Sequence, residues 1–87
     1  MPAYLIHYDT DRPIDPLRGF EQVQRLRPGL ALVDSDESQS RVYHEVKHGL
    51  PRDTPLVVAR LDHQLKFKGC EAGALAWVRQ RFDGMTA

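Results

Sequence analysis

Residues 30–51 read LALVDSDESQSRVYHEVKHGLP, and the way this stretch divides decides the fold. Leu30 to Val33 is an apolar run of strand length. Asp34-Ser35-Asp36-Glu37-Ser38 follows, with side chains that accept hydrogen bonds from the free N–H groups of a helix start. Val42, Tyr43, Val46 and Leu50 then fall on one side of a helix. Gly49 suits the left-handed position after a last helical turn, and Pro51 prevents continuation. A strand therefore hands over to a helix. A competing division makes residues 30–46 a hairpin turning at Asp36-Glu37, because Val42, His44 and Val46 also alternate as a strand would. The stop at Gly49-Leu50-Pro51 favours the helix.

On the N-terminal side, Ala3 to Tyr8 is apolar, aromatic and β-branched, and it ends in the turn formers Asp9-Thr10-Asp11-Arg12-Pro13. Leu17, Phe20, Val23 and Leu26 recur every third residue with polar residues between them, and Pro28-Gly29 closes the segment, so this stretch predicts a first helix. On the C-terminal side, Leu56 to Leu61 is a third strand whose Val57 and Val58 read as core. Leu75, Val78 and Phe82 mark a last helix ending near Gly84. The order βαβαβα predicts an α/β fold, a three-stranded parallel sheet with right-handed crossovers and three helices. A ferredoxin-like α+β arrangement is the alternative.

With 87 residues the chain has room for one domain. Twelve Lys plus Arg balance twelve Asp plus Glu, so it has neither the basic excess of a nonspecific nucleic-acid binder nor the acidic excess of a DNA mimic. No apolar run reaches the roughly 18 residues of a membrane helix, and MPAYLIHYD has no signal-peptide pattern, which predicts a cytoplasmic protein with no membrane contact. The single Cys70 suits a reducing compartment and leaves stability to a small core, a situation in which a partner or a homodimer helps.

His44-Glu45-Val46-Lys47-His48 matches H-E-x-x-H, in which two histidines one helical turn apart hold zinc and the glutamate acts as general base. The stretch resembles the zincin metallopeptidase signature. That resemblance implies a zinc hydrolase with His44 and His48 as ligands, Glu45 as base and Glu71 as a gluzincin-like third ligand. Helical geometry opposes it: the stripe of Val42, Tyr43, Val46 and Leu50 centres nearly opposite the two histidines, which places them toward solvent. A catalytic zinc needs walls and orienting partners that a solvated helix face lacks. Lys47 also adds a cation inside the motif, and Pro51 and Thr54 stand where a metzincin extension has Gly and His. Glu71 lies in Gly69-Cys70-Glu71-Ala72-Gly73, without the asparagine and acidic neighbours of a gluzincin ligand helix.

In a parallel sheet, Asp9, Asp11, Asp34, Asp36 and Asp62 would converge at the carboxyl ends of the strands, where carboxylates can hold Mg²⁺. Asp is equally a turn and cap residue. Tyr4-Leu5-Ile6-His7-Tyr8-Asp9 is similar to the first strand of Cas2-like proteins, a likeness that implies metal-dependent nuclease chemistry at Asp9.

Lys66-Phe67-Lys68 precedes the last helix, where Trp77 and Arg81 lie one turn apart on a flank that the apolar stripe does not use. Aromatic and arginine side chains anchor interfaces. Lys66, Phe67, Lys68, Trp77 and Arg81 are therefore the expected partner-binding surface. Cys70, near the start of that helix, reads as a buried thiol rather than a nucleophile. The expectation is a non-catalytic interaction or regulatory module, without cofactor, that binds a larger protein or a protein–nucleic-acid complex. In size and in its lack of cofactor motifs the chain resembles bacterial or phage accessory proteins, including small inhibitors of host defence systems.

Overall fold

The computed structural model describes residues 2–9, 11–12 and 14–82; Thr10, Pro13 and the helix end near Gly84 lie outside them. The elements run β1 (Ala3–Tyr8), β2 (Val23–Arg27), β3 (Leu30–Asp34), α1 (Gln39–His48), β4 (Leu56–Leu61) and α2 (Ala74–Phe82). The four strands form one sheet in the order β2-β3-β1-β4, and every neighbouring pair is antiparallel. The expected three-stranded parallel sheet with three helices is overturned. The order β-β-β-α-β-α is also not the β-α-β-β-α-β of the ferredoxin-like alternative.

The error lies between Leu17 and Leu26. Residues 16–19 form turns, and Val23–Arg27 is a strand that hairpins into β3. Pro28-Gly29 forms the two-residue turn, with Gly29 at φ 77°. Proline pre-sets the first central position of such a turn, and glycine alone takes the positive φ of the second without strain. A Cβ on Gly29 would also collide with the Tyr8 carbonyl oxygen, which packs against it. The three-residue spacing of Val23 and Leu26 mimics a helix, but in a strand residues an odd number apart leave on opposite faces, and Val23 packs against the α1-side core while Leu26 lies in the α2-side core.

Side chains alternate across β1 and feed two cores. Tyr4, Ile6 and Tyr8 join Ala31, Val33 and Leu17 under Val42 and Val46 of α1. Ala3 and Leu5 join Leu26 and Leu32 under Ala74, Val78 and Phe82 of α2. The helices thus cover opposite faces of the sheet, and a four-stranded sheet of this size gains a core on each side.

The α1 boundaries agree with the sequence reading. Ser38 is the N-cap and its hydroxyl accepts from the Arg41 amide at 3.2 Å. At the other end Gly49 has φ −90° and so does not use the left-handed conformation; the Gly49 and Leu50 amides bond back to Val46 and Lys47. Glycine is required there for closeness instead, because a Cβ would lie 2.9 Å from Pro16 Cα.

Candidate functional site

β4 is an edge strand, and its pairing register fixes which of its backbone groups face out. The Asp9 amide donates to the Pro55 carbonyl at 3.1 Å, and the ladder continues from Tyr8↔Leu56 to Ala3↔Leu61 without a shift. In an antiparallel ladder hydrogen-bonded pairs alternate with non-bonded ones. His7/Val57, Leu5/Ala59 and Ala3/Leu61 are therefore the bonded pairs, and the N–H and C=O groups of Leu56, Val58 and Arg60 point away from β1. Among the described residues a single hydrogen bond reaches this outer edge, from Gln39 Nε2 to the Val58 carbonyl at 3.2 Å.

The surroundings of the edge are mixed in chemistry. On the α2 face Val57 is 55% exposed beside the exposed His7, because α2 packs nearest β2, at the other edge of the sheet. Val57 is therefore not the core residue its sequence context predicted; Val58, on the other face, packs partly buried against the α1-side core. On the α1 face a groove of about 370 Å³ runs beside Leu56, lined by Tyr43, Lys47, Leu50 and Arg52. Lys47 Nζ lies 5.9 Å from the Tyr43 ring centroid. Arg60 is the one charged residue within the strand, and its guanidinium stands 3.9 Å from Asp62.

The other sequence candidates are dispersed. His44, Glu45 and His48 are all exposed on the outer face of α1, where His44 meets the Tyr43 ring edge-on at 5.2 Å and Glu45 lies against Gly19. Glu71 is in a different cleft, beside Phe20 and Gln24, with its amide bound to the Leu26 carbonyl. No group of three or more His, Cys, Asp or Glu side chains with metal-binding proximity occurs among the described residues. The carboxylates do not converge either. Antiparallel pairing puts Asp34 opposite Ala3 and Leu61 next to Ala3, so Asp34, Asp36 and Asp62 lie at the far end of the sheet from Asp9 and Asp11.

Of the predicted partner surface, Lys66 and Lys68 are exposed, while Phe67 and Trp77 pack partly buried against the α2-side core, as does Cys70. Arg81 has a structural task. Its Nε donates to Asp34 Oδ2 at 2.6 Å, its Nη2 to Gln22 Oε1 at 3.2 Å, and its guanidinium stacks 3.5 Å from the Trp77 ring centroid. The side chains of Arg81 and Asp34 are only 16% and 8% exposed, so this ion pair ties α2 to the end of β3, at the open end of the β2–β3 hairpin.

A second ion pair, Asp15 Oδ1 to Arg25 Nη2 at 2.7 Å, holds the 14–19 loop on β2. Burial works against the Asp15 carboxylate, but the Leu17 amide and Arg25 outweigh it and hold its pKa below the ordinary value. Burial likewise works against the Arg25 cation, and its bonds to Asp15 and Tyr8 outweigh that and raise its pKa.

Leu56, Val58, Arg60 and Gln39 had no signal of their own in the sequence. An outward-facing backbone is a property of pairing, and the strand reads as a continuous apolar run whether it is central or at an edge. No helix of the described residues is long and apolar enough to cross a membrane. No protein-family model matches the chain, and neither does any curated protein or solved structure searched.

Proposed function

We propose that this protein is a non-catalytic interaction module that docks a protein partner by strand addition along the outer edge of β4. The observation that carries the reading is the row of outward backbone groups at Leu56, Val58 and Arg60, met by one glutamine side chain and flanked by the exposed Val57. A partner strand satisfies those groups by main-chain hydrogen bonds and draws selectivity from the side chains beside them. Long edges that are not meant to pair are ordinarily blunted by charge, proline or a bulge. β4 has no bulge or proline, and its one charge sits near its end. The free thiol of Cys70 suits a reducing compartment such as the cytoplasm.

Photo-crosslinking tests this. A benzophenone amino acid replacing Val57 should form a covalent adduct with a protein partner in the cells that make the chain, and Val58→Pro should abolish that adduct. Adducts formed only from the Lys68 position, or adducts at Val57 indifferent to Val58→Pro, would move the docking surface to the face of Lys66, Phe67 and Trp77.

A further inference from the structure

Resting on that strand-addition reading, we infer that the strand completing β4 is β4 of a second copy, paired antiparallel about a two-fold axis at Val58 to give one continuous sheet across a homodimer. The register follows from the outward groups. Antiparallel bonded pairs must match outward residues with outward residues, and of the registers that do so an axis at Val58 keeps all three within the pairing: Leu56 meets Arg60 of the second copy, Val58 meets Val58, and Arg60 meets Leu56. Every outward donor and acceptor of the strand then finds a counterpart. Gln39, exposed at the first position of α1, releases the Val58 carbonyl to the incoming Val58 amide.

Charge and shape select the copy in this register. Residues paired across strands share a face. The half-exposed Val57 is covered by Ala59 of the second copy, an apolar contact on the α2 face. The two Arg60 side chains stand four residues apart along the strand axis, about 14 Å, beyond the roughly 8 Å over which exposed charges act in physiological salt. Each Arg60 instead faces Leu56 of the other copy, beside the partly exposed Tyr43 ring that lines the groove. The same pairing carries Asp62 to Thr54 of the other copy, at the end of the groove that Lys47 and Arg52 make positive. Registers slipped by one bonded pair fare worse. An axis at Ala59 brings the two arginines to about 7 Å along the strand axis, within the range over which exposed charges repel, and an axis at Val57 pairs Arg60 with Thr54, whose amide is already donated to the Pro51 carbonyl.

The experiment combines sedimentation with two proline variants and a cysteine pair. The native chain should sediment at twice its 10.0 kDa mass at tens of micromolar. Val58→Pro and Arg60→Pro each remove an outward N–H that β1 does not use, so both should keep the native circular dichroism while self-association weakens at least tenfold. In a Cys70→Ser background, mixing Val57→Cys chains with Ala59→Cys chains should give a disulfide-linked pair on mild oxidation, because a non-bonded antiparallel pair has Cα atoms about 4.5 Å apart, within disulfide reach. A native chain that stays monomeric at millimolar concentration would overturn the homodimer, while a Val57 crosslink to another protein would still uphold strand addition. A dimer that persists in both proline variants would overturn the β4 contact itself.

Discussion

At β2 two outward carbonyls are met from within the chain and a neighbouring segment crosses the edge, whereas at β4 one outward carbonyl is met and nothing among the described residues crosses. Gln24 Nε2 donates to the Arg25 carbonyl at 2.8 Å and the Glu71 amide to the Leu26 carbonyl at 2.9 Å, while the Arg27 side chain holds the crossing segment by donating to the Gly69 carbonyl at 3.3 Å. The register shift between Arg25 and Arg27 twists that edge, and Arg81 fixes its beginning through Gln22. A bulge, a crossing segment and inward-turned charge are the devices by which proteins keep a strand edge from pairing. β4 has one glutamine. The same chain therefore covers one edge with a bulge, a crossing segment and a clamp and the other with a single glutamine, and that asymmetry is what motivates the proposal of strand addition at β4.

The contrast can be broken first on the guarded side. Arg81→Ala removes the partner of Asp34 and leaves a carboxylate buried at 8% exposure without its cation, an arrangement that costs about 3 kcal/mol. Chemical denaturation should show that loss, with faster amide exchange in β2; a loss under about 1 kcal/mol would mean that the clamp contributes little. The next test separates the two sides of β4 itself. Ala59→Pro removes a donor that the Leu5 carbonyl needs, which costs about 1–3 kcal/mol plus strain, whereas Val58→Pro removes an outward donor and should cost under about 1 kcal/mol. Equal destabilisation by the two prolines would contradict the assigned ladder.

Smaller effects belong to the regions outside both edges. His44→Ala with His48→Ala should change stability by no more than about 0.5 kcal/mol, because both side chains are exposed on α1. A larger loss, or zinc retained at one equivalent by the native protein alone, would restore the metal reading. Asp15 gives the smallest effect. Its folded pKa is lowered, so its contribution is present above the ordinary carboxylate value and fades as the pH falls through the folded one. The pair is well over a third exposed, so Asp15→Asn should cost about 0.5 kcal/mol at pH 7 and almost nothing at pH 2, read by urea melts at the two pH values.

Five of the six elements were legible as local patterns: β1, β3 and β4 as apolar runs, α1 from its cap and stripe, α2 from Val78 and Phe82, although Leu75, expected on the same stripe, is 49% exposed and Ala74 is buried in its stead. The sixth differs because Pro28-Gly29 stops a helix and turns a hairpin equally well, and Val23 and Leu26, three apart, serve opposite faces of a strand as readily as one side of a helix. That one segment carried the topology with it. A helix between β1 and β3 implies a parallel crossover; the hairpin removes that crossover, and the antiparallel pairing of β1 with β3 and with β4 sends the aspartates to opposite ends of the sheet. The solvent-facing position of the H-E-x-x-H histidines was legible, since a helical stripe fixes its own opposite face. The role of Arg81 was not, because its partner Asp34 is 47 residues away in sequence.

Amide hydrogen exchange along β4, followed residue by residue at low and high protein concentration, tests the open edge most directly. Val57, Ala59 and Leu61 should be protected at both concentrations by their bonds to β1. Leu56, Val58 and Arg60 should exchange freely when dilute and become protected when concentrated, with the change abolished in Arg60→Pro at Leu56 and Val58. If Leu56, Val58 and Arg60 exchange equally fast at every concentration, or are already protected in the dilute monomer, β4 is not the edge through which this protein pairs with its own kind.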